Sequence, residues 1–550
     1  MALRRGGRTV AATGSTQRTV SQALIDALAA RGMKNLYGLP GGGSSLDLID
    51  AARARGIGFV LARHECAAMM MAATEAEISG GIAAAIATKG PGTANGTNGV
   101  AHASLDRAPV AFITDGFTSQ QLTYITHQVF DQRALLSPLV KAHSRLESSD
   151  PGAEISAILG KALHARQGPV HIELTGATAR TMATEAPAPM QAAPAAAKPV
   201  AVTAARRVLE KARRPVVVVG LEARGACAET LRFIEALGCP ALVTYKAKGV
   251  VPDAHPQFAG IFTCGAAEQP VVTQADLVVL IGVDPVEFIL QPWPYAAPVL
   301  EVGFTRHPVH YVAPAASLYG DIAANLGALQ AAATPGTWSL PEIASLRAAM
   351  LTALQYRGRR AGIAPDVVVK AAATEAAAMR IWPRATVDAG AHMFSAAAFW
   401  PCAKPNDLMI SNGLASMGYA LPAAIASAAL EPRRAAIAFT GDGGLMMCLG
   451  ELATAAERRA PIIVVVFNDG ALSLIDIKQQ QRRLPVQGVR WRRPDFAAVA
   501  RGLGAKGFRV STLAGYRRAL RTALAGKGLA LIDVVVDPSG YQQQLAALRG

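Results

Sequence analysis

Short apolar runs that alternate with helical patterns recur along the whole chain. Such runs are typical of buried strands in parallel sheets, and the helical patterns between them supply the crossover connections that parallel strands need. The strand-like runs lie at residues 82–88, 109–114, 215–220, 276–282, 435–440, 461–467 and 529–536. The alternation therefore predicts an α/β architecture of doubly wound parallel sheets, in which ligands bind beyond the carboxyl ends of the strands.

Two stretches poor in core-forming residues divide the chain. Its 550 residues are enough for several domains. An Ala/Pro-rich tract at 181–200 and a weaker break at 331–341 separate three segments that each carry the strand–helix alternation. We therefore predict three doubly wound domains at residues 19–182, 201–345 and 346–550, with a linker at 183–200 and a disordered tail at 1–18.

The composition argues against several classes of partner. Lys and Arg number 54 against 39 Asp and Glu, a net charge of +15, but the basic residues are scattered and form no run interleaved with aromatics. We therefore expect a solvated basic surface and no nucleic-acid partner. The six cysteines contain no CxxC pair, and no apolar stretch approaches the ~18–20 residues of a membrane span. Residues 1–18 lack the apolar core of a secretory signal, so a cytoplasmic protein with no membrane partner is expected.

The strongest chemical signal stands where two predicted strands end. The run 435–440 leads directly into Gly441-Asp442-Gly443-Gly444 and a helical pattern, and the run 461–467 leads into Asn468-Asp469. Both groups should therefore lie at the carboxyl edge of one sheet. Carboxylate oxygens suit Mg²⁺, and glycines at a helix start let backbone amides approach a phosphate. A Gly-Asp-Gly tripeptide alone is usually just a turn, and the second pair at this spacing is what indicates a metal–diphosphate anchor.

This pattern resembles the diphosphate-binding signature of the thiamine diphosphate (ThDP) enzymes of the acetolactate synthase, pyruvate decarboxylase and benzoylformate decarboxylase superfamily. The second motif of that family usually reads Asn-Asn, whereas Asp469 replaces its second Asn here. The resemblance implies Asp442 and Asp469 as side-chain ligands of Mg²⁺ and Ala471 as a backbone carbonyl ligand. It also implies cofactor contacts from Gly390, Gly441, Gly443, Gly444, Asn468 and Leu472.

The N-terminal third carries further motifs of the same superfamily. Arg63-His64-Glu65 resembles the segment whose Glu activates the cofactor, and residues 90–95 (GPGTAN) resemble a GPG-x-x-N turn. By this resemblance Glu65 bonds N1′ of the aminopyrimidine and favours the imino tautomer that deprotonates C2, a role that needs a site shielded from water. Taken alone, Glu65 would be a solvated helix residue. The neighbouring motifs, and the apolar segment that follows it, favour the activator role. The resemblance also implies cofactor contacts from Pro40, Gly92 and Asn95.

A third motif, at residues 411–422, resembles the segment that shapes the cofactor in this superfamily. Met417 matches the Met that holds the two cofactor rings in a bent form. The Ala415 carbonyl matches the acceptor of the 4′-amino group, at a position where Gly is usual. A Met in an apolar run is more often a core residue, but the glycines at 413 and 418 favour close approach of a ligand. We therefore predict that Ala415 and Met417 contact the cofactor.

The residues around the substrate match one branch of the superfamily most closely. Gly42 and Gly43 stand in a loop that resembles that of acetolactate synthases and lacks the acid or His that decarboxylases place there. Gln128 matches a substrate-side Gln of acetolactate synthases, and Lys141 matches a Lys that could meet a carboxylate. An ordinary surface lysine is an equally good interpretation of Lys141.

Two further residues bear on the substrate. His127 adjoins Gln128 and is our candidate proton shuttle, although a histidine in such a pattern is more often structural. Lys478 falls where branched-chain-pathway acetolactate synthases carry a Trp over the acceptor pocket. A cation at this position favours an anionic substrate group and argues against a biosynthetic acetolactate synthase.

The resemblance, closest to acetolactate synthase-like large subunits, implies a Mg²⁺- and ThDP-dependent enzyme that acts on a 2-oxo acid. Decarboxylation to an enamine would be followed by carboligation, as in acetolactate formation, or by protonation. The alternatives are a simple decarboxylase of the benzoylformate, sulfopyruvate or phosphonopyruvate type, and an FAD-linked oxidase of the same architecture. The central segment shows no convincing match to flavin-contacting segments, so FAD is not expected.

The resemblance also assigns the domains and their assembly. It implies a pyrimidine-binding N-terminal domain, a central Rossmann-like domain and a diphosphate-binding C-terminal domain. Glu65 and Asp442 lie in different predicted domains, yet both would touch one cofactor. The superfamily arrangement implies a homodimer or homotetramer with active sites between subunits. A non-enzymatic binding protein is disfavoured because Glu65, Asp442 and Asp469 are retained.

Overall fold

The computed structural model of the protein describes residues 18–183, 195–289, 292–308, 312–358, 361–458 and 461–550. Within these ranges the chain forms three six-stranded parallel sheets flanked by helices, which confirms the predicted α/β class. The predicted tail, apart from Arg18, and residues 184–194 of the predicted linker lie outside the described residues. None of the described helices combines the length and the hydropathy that spanning a membrane requires.

The N-terminal unit is built on the first of these sheets. Its strands are β1 (Arg18–Thr19), β2 (Asn35–Gly38), β3 (Gly58–Leu61), β4 (Ala83–Ala87), β5 (Val110–Gly116), β6 (His143–Ser144), β7 (Val170–Thr175) and β8 (Met182–Ala183). Its helices are α1 (Val20–Ala30), α2 (Ser44–Ala54), α3 (Glu65–Ser79), α4 (Pro91–Leu105), α5 (Gln132–Leu136), α6 (Pro151–Leu163) and α7 (Gly176–Arg180). The parallel sheet has the order β3-β2-β4-β5-β7-β6, and β1 pairs antiparallel with β8.

The central unit is built on the second sheet. Its strands are β9 (Pro215–Val219), β10 (Ala241–Val243), β11 (Phe258–Ile261), β12 (Leu277–Ile281), β13 (Val299–Gly303) and β14 (Ala316–Tyr319), in the order β11-β10-β9-β12-β13-β14. Its helices are α8 (Pro199–Leu209), α9 (Cys227–Leu237), α10 (Gln269–Val272), α11 (Ile322–Leu329) and α12 (Leu340–Ala353). The predicted boundary after residue 345 falls inside α12, which packs on β11. The Ser-Leu-Pro sequence that suggested a break starts this helix, because Ser339 caps it and Pro341 stands in its first turn.

The C-terminal unit is built on the third sheet. Its strands are β15 (Arg384–Val387), β16 (Leu408–Ile410), β17 (Ala436–Gly441), β18 (Ile462–Asn468), β19 (Lys506–Val510) and β20 (Leu529–Val535), in the order β16-β15-β17-β18-β20-β19. Its helices are α13 (Pro365–Ala378), α14 (His392–Phe399), α15 (Ala420–Leu430), α16 (Asp442–Met447), α17 (Glu451–Glu457), α18 (Ser473–Gln481), α19 (Phe496–Gly502), α20 (Leu513–Leu524) and α21 (Tyr541–Arg549). Strands β17 and β18 are neighbours in register, so they end side by side.

The first and third units share one apolar core. Helices α3 and α4 supply Ala67, Met69 and Val100 to a buried cluster that also contains Leu421 and Ile425 of α15. Burying such side chains is worth about 1.5–3 kcal/mol for each large aliphatic group, so this contact fixes the two units relative to one another. The carboxyl edges of both sheets therefore belong to one packed assembly.

The helical pattern that includes Asp442 and continues past Gly444 forms two helices. It is divided into α16 and α17, with a break at residues 448–450. Glu451, the first residue of α17, turns its carboxylate toward the N-terminal unit, where the amides of Arg63 and His64 donate to Oε1 at 2.8 and 3.0 Å. The break thus brings the third unit against the segment that leads into Glu65.

Candidate active site

Two acids lie at adjacent strand ends of the third sheet. Asp442 follows β17 and Asp469 follows β18. The amide of Gly470 donates to Asp442 Oδ2 at 2.8 Å, and Trp491 Nε1 donates to the same oxygen at 3.2 Å. Ser473 Oγ donates to Asp469 Oδ2 at 2.7 Å. The strand register therefore brings both predicted metal ligands to one place.

The electrostatics of this pair favour a cation. Burial and the neighbouring Asp469 carboxylate raise the pKa of Asp442 to about 7. Burial also raises the pKa of Asp469 to about 6, although bonds from Ser473 and Ala471 and the charge of Arg493 oppose the rise. Both carboxyls are destabilised in their ionised form, and a divalent cation between them would reverse this effect.

Apolar side chains surround the glycines that follow Asp442. A Cβ built on Gly443 would lie 3.3 Å from Leu472 and from Trp491, and 3.4 Å from the Met417 methyl group. The amide of Leu472 donates to the Val489 carbonyl at 2.8 Å, which holds the loop that contains Ala471. The structure thus brings Gly443, Met417 and Leu472, three predicted cofactor residues, together with Trp491.

The loop at residues 411–418 is held by two buried carboxylates. Asp388 accepts from the amides of Gly418 and Ala420 at 3.1 and 2.6 Å. Asp106, from the N-terminal unit, accepts from the amides of Asn412 and Gly413 at 3.1 Å each. Between these supports the loop carries the two residues predicted to shape the cofactor.

Ala415 has a backbone conformation that L-residues disfavour. Its φ is +54°, in the left-handed region, which costs roughly 1–2 kcal/mol for a residue with a Cβ. The resemblance places a Gly at this position, where the strain would be absent. Ala415 is exposed and Met417 is half-buried, so both are within reach of a ligand.

His392 lies under the turn at Gly441. A Cβ on Gly390 would lie 2.8 Å from the imidazole, and one on Gly441 would lie 3.5 Å from it. Burial lowers the pKa of His392 to about 4, so the ring is neutral near pH 7. Its Nε2 is buried and has no hydrogen-bond partner within the described ranges. The turn thus holds a buried acceptor nitrogen that a hydrogen-bond donor of a ligand could satisfy.

Asn468 and Gly444 contact the protein interior. Asn468 Nδ2 donates to Asp533 Oδ1 at 2.8 Å and to the Pro494 carbonyl at 3.1 Å. A Cβ on Gly444 would lie 2.2 Å from Asp388 Oδ2, so no larger residue fits there. In the structure these two predicted cofactor residues support the loops at the sheet edge.

The carboxyl edge of the first sheet carries the second group of candidates. Glu65 opens α3 and is 7% exposed. Asn95 Nδ2 donates to Glu65 Oε2 at 3.1 Å, and a Cβ on Gly92 would lie 3.2 Å from Glu65 Oε1. Three residues predicted from separate motifs thus form one cluster. Asn98, one turn after Asn95, lies 3.5 Å from Ser416 Oγ and so links this cluster to the loop at 411–418.

The loop at residues 40–45 borders this cluster. Ser44 Oγ and the Ser45 amide donate to Asp115 Oδ1 at 2.8 and 3.0 Å. A Cβ on Gly43 would lie 3.0 Å from the Asp115 carboxyl group, whereas one on Gly42 meets nothing within 4 Å. Pro40 and Gly42 are exposed at this edge.

Gln128 and His127 occupy an exposed turn at the same edge. Gln128 has φ +60°, and its carbonyl oxygen would lie 2.8 Å from a Cβ on Gly90. The close contact places Gln128 beside the turn that leads to Gly92. His127 is exposed in the same turn.

The two predicted substrate lysines lie in different places. Lys141 precedes β6, at the amino edge of the first sheet, and its ammonium donates to the His164 carbonyl at 2.8 Å. Burial and the charges of Arg166 and Arg107 lower its pKa to about 8. The structure therefore does not bring Lys141 to the edge that holds Glu65 and Gln128. Lys478 is exposed on α18, the helix that follows Asp469 and Ala471.

Several residues of the site were not identified from the sequence. Asp106, Asp115, Asp388, His392, Glu451 and Trp491 all hold or border its loops. Asp115 and Asp388 stand at the ends of apolar strand runs, which is a signal that could have indicated them. Asp106 and Glu451 act across unit boundaries, and no local pattern reveals such contacts.

Comparisons with known proteins agree with this geometry. Models of thiamine pyrophosphate enzymes match the chain in three parts: the N-terminal TPP binding domain at residues 18–135, the central domain at 202–329 and the C-terminal TPP binding domain at 388–534. A probable acetolactate synthase large subunit of Methanocaldococcus jannaschii is 27% identical, with 94% of this chain and 92% of that protein covered. An acetolactate synthase of Bacillus subtilis is 27% identical, covering 94% and 93%, and a probable 2-ketoarginine decarboxylase of Pseudomonas aeruginosa is 28% identical, covering 94% of each. The three matches follow the three sheets in order, and the chain therefore belongs to the thiamine pyrophosphate (ThDP-dependent) enzymes.

Proposed function

We propose that this enzyme binds ThDP together with Mg²⁺ and acts on a 2-oxo acid, releasing CO₂ and joining the remaining carbon unit to a second carbonyl compound. The observation that carries the proposal is the pair Asp442 and Asp469, which lie at adjacent strand ends with raised pKa values, near Gly443 and Met417. The acetolactate synthases among the relatives support carboligation. Simple decarboxylation is the alternative outcome.

Each candidate has a role that its surroundings permit. When bound, ThDP supplies the carbon nucleophile for the oxo group and takes up the electron pair left by CO₂. Asp442, Asp469 and the Ala471 carbonyl would hold Mg²⁺, since hard oxygen ligands suit that ion. Glu65 would exchange a proton with the pyrimidine ring through one carboxyl oxygen. Asn95 holds the other oxygen, Oε2 of Glu65, by a hydrogen bond. Met417, Leu472 and the Ala415 carbonyl would orient the cofactor rings.

A second copy of the chain is proposed to complete the site. Tyr124 and Phe130, in the segment after β5, are 70% and 40% exposed. Met446 and Met447, at the end of α16, are 52% and 63% exposed. Clustered exposed apolar side chains are typical of protein interfaces. A dimer that pairs these surfaces, or a tetramer of two such dimers, would cover them and close the site between subunits.

We propose that the substrate carries an anionic group in addition to its oxo-acid carboxylate. Lys478 is exposed on α18, one helix beyond the proposed metal loop, and Gln128 lies beside the turn that leads to Gly92. The Lys478 cation and the Gln128 amide would suit carboxylate, sulfonate or phosphonate groups. Because Lys141 lies at the opposite sheet edge, we do not include it among the substrate residues.

Flavin is not expected in the central unit. Dinucleotides bind this fold where the strand order reverses, here between β9 and β12. The backbone amide that follows β9, at Leu221, already donates to Glu287 Oε2 at 3.0 Å. A Cβ on Gly220 would lie 2.6 Å from the same oxygen. This internal carboxylate beside the switch point supports the expectation, and we predict that the purified enzyme shows no flavin absorption.

The direct test combines ThDP binding with product analysis. Wild-type enzyme should bind ThDP in the presence of Mg²⁺ by calorimetry and release CO₂ from pyruvate or from an aryl, sulfonated or phosphonated 2-oxo acid. Acetolactate or a homologous product would establish carboligation, and an aldehyde would establish simple decarboxylation. If no 2-oxo acid is converted although ThDP is bound, the proposed reaction is wrong.

Glu65→Gln is the variant that tests the activator role. It should retain ThDP binding, because the amide keeps the size of the side chain, and should slow C2 proton exchange by about 10²–10⁴-fold, the usual contribution of a positioned acid–base group. The exchange is measured by NMR after transfer into D₂O. Exchange at the wild-type rate would exclude Glu65 from this role.

A further inference from the structure

Buried charges from the N-terminal and central units meet beneath the loop at residues 411–418. We call them the junction cluster: Glu77 and Asp106 from the N-terminal unit, and Lys246 and Arg224 from the central unit. The side chains of Glu77, Asp106 and Lys246 are each at most 2% exposed. Charges buried to this degree destabilise a protein unless they are paired. Their pairing is therefore specific, and it can be traced contact by contact.

Lys246 lies just after β10, in the short turn Tyr245–Ala247. Its Nζ donates to both Glu77 oxygens at 2.9 and 2.7 Å and lies 3.4 Å from Asp106 Oδ1. It also lies 3.3 Å from the Ile410 carbonyl, at the last residue of β16 before the loop. One ammonium group thus links the central unit to the N-terminal unit and to the start of the loop.

Asp106 continues this link into the loop itself. Its Oδ1 accepts from the amides of Asn412 and Gly413 at 3.1 Å each. Its Oδ2 lies 2.8 Å from His102 Nδ1, and that nitrogen lies 3.0 Å from Ser411 Oγ. Three consecutive loop residues are therefore fixed from one side by a single carboxylate and its histidine.

The charge of Asp106 decides how firmly the loop is held. Hydrogen bonds to an ionised acceptor are roughly twice as strong as those to a neutral one. Burial alone would raise the pKa of Asp106, but the Lys246 ammonium and His102 hold it well below its usual range. Without the ammonium, one of the causes that lower this pKa is lost, and the carboxyl would take up a proton at a higher pH than in the wild type.

We propose that Lys246 of the central unit is a positioning residue of the cofactor site, which acts through Asp106 to hold the loop that carries the Ala415 carbonyl and Met417. This inference rests on the proposed function of that loop. Lys246 thus gives the central unit a part in the active site, although none of the residues described above at the two sheet edges belongs to that unit. The Asp388 carboxylate holds the far end of the loop from within the C-terminal unit.

Other charged or titratable groups also face Asp106. His102 lies on the same helix, α4, and Arg107 follows Asp106 in the chain. Glu77 of α3 faces it across Lys246, and Tyr419 interacts with it from the segment before α15. Arg107 is itself bound by Asp284 of the central unit at 2.6 Å. A test must therefore change Lys246 while leaving these groups in place.

Lys246→Met and Arg224→Met form a matched pair. Each removes one cation from Glu77, since Arg224 Nη1 bonds Glu77 Oε2 at 2.8 Å, but the Arg224 bonds lead to Asn406 and not to the loop. Hydrogen exchange of the peptide at 411–418 is measured in the cofactor-free protein at pH 6 and pH 8, corrected for intrinsic rates. Lys246→Met should reduce protection by about tenfold at pH 6, as expected for the loss of one charged hydrogen bond, and by less at pH 8. ThDP affinity should fall in parallel, and Arg224→Met should follow the wild type.

Equal loss of protection in both variants, or a loss in Lys246→Met that is the same at both pH values, would overturn the proposal. If Lys246→Met does not fold, Asp106→Asn replaces it. That variant is neutral at every pH and should show the loss at pH 6 and pH 8 alike, whereas wild-type protection would refute the inference. A wild-type protein that binds no ThDP would instead refute the proposed function, because the exchange measurement needs no cofactor.

Discussion

The carboxyl groups of Asp442 and Asp469 are disfavoured in their ionised form as long as no cation lies between them, which suits them to a cation site. Asp442 is buried and Asp469 is half-buried, each is bonded to nearby donors, and each nevertheless has a raised pKa. The cause is burial, to which the mutual repulsion of two carboxylates is added at Asp442. On the proposed function, Mg²⁺ bound between the two carboxylates would offset the free energy that disfavours both charges in the metal-free protein.

The first prediction concerns pH. Both folded-state pKa values lie above that of a free Asp, about 3.9. Their contribution to stability is therefore present at low pH and is lost as the pH rises through about 6 and 7 in the metal-free protein. Metal binding must displace these protons, so the affinity for Mg²⁺ should rise between pH 5.5 and pH 8. Calorimetric titration with Mg²⁺ across this range checks the expectation.

Asp469→Asn is the control for this pH dependence. It removes one carboxylate and the repulsion that acts on Asp442, so the variant should bind Mg²⁺ more weakly and with a smaller change across the same pH range. Equal affinity at pH 5.5 and pH 8 in the wild type would contradict the assignment of the pair as metal ligands.

At the scale of single elements, strand ends explain which parts of the site could be predicted. The motifs at residues 63–65, 90–95 and 441–444 are local strand–turn–helix junctions. Residues that are neighbours in the sequence are therefore also neighbours in space there. Contacts between distant segments could not be predicted in this way. Asp106 binds amides at Asn412 and Gly413, and no periodicity links these positions. A motif match also does not tell which end of a strand a residue occupies: Lys141, assigned to the substrate by resemblance, precedes β6 and lies at the amino edge of the first sheet.

The Asn468–Asp533 contact between β18 and β20 yields the second prediction. Asp533 is fully buried, and Asn468 Nδ2 donates to it at 2.8 Å. Asn468→Ala leaves that carboxyl without this donor, which should lower the free energy of unfolding by about 1–3 kcal/mol. Thermal unfolding of the cofactor-free variant measures the effect. Asn468→Ala with wild-type stability and weakened ThDP binding would show that Asn468 serves the cofactor directly.

At the scale of the whole molecule, the site depends on three sheets and, we propose, on two chains. The shared core of α3, α4 and α15 joins the terminal units, and Lys246 joins the central unit to both. In the single chain, the apolar side chains after β5 and at the end of α16 are exposed to solvent. A symmetric dimer covers the same surfaces on each copy at once. The activator Glu65 of one copy would then serve the Mg²⁺ site of the other.

The most direct measurement of this central claim is complementation between two inactive variants. Glu65→Gln and Asp442→Ala are each expected to be inactive alone, the first in C2 deprotonation and the second in cofactor retention. If sites form between subunits, a mixed dimer contains one site with both changes and one site with neither. Random mixing of subunits should then restore about a quarter of wild-type activity. Mixed dimers that are present by native mass spectrometry but show no activity would contradict the account.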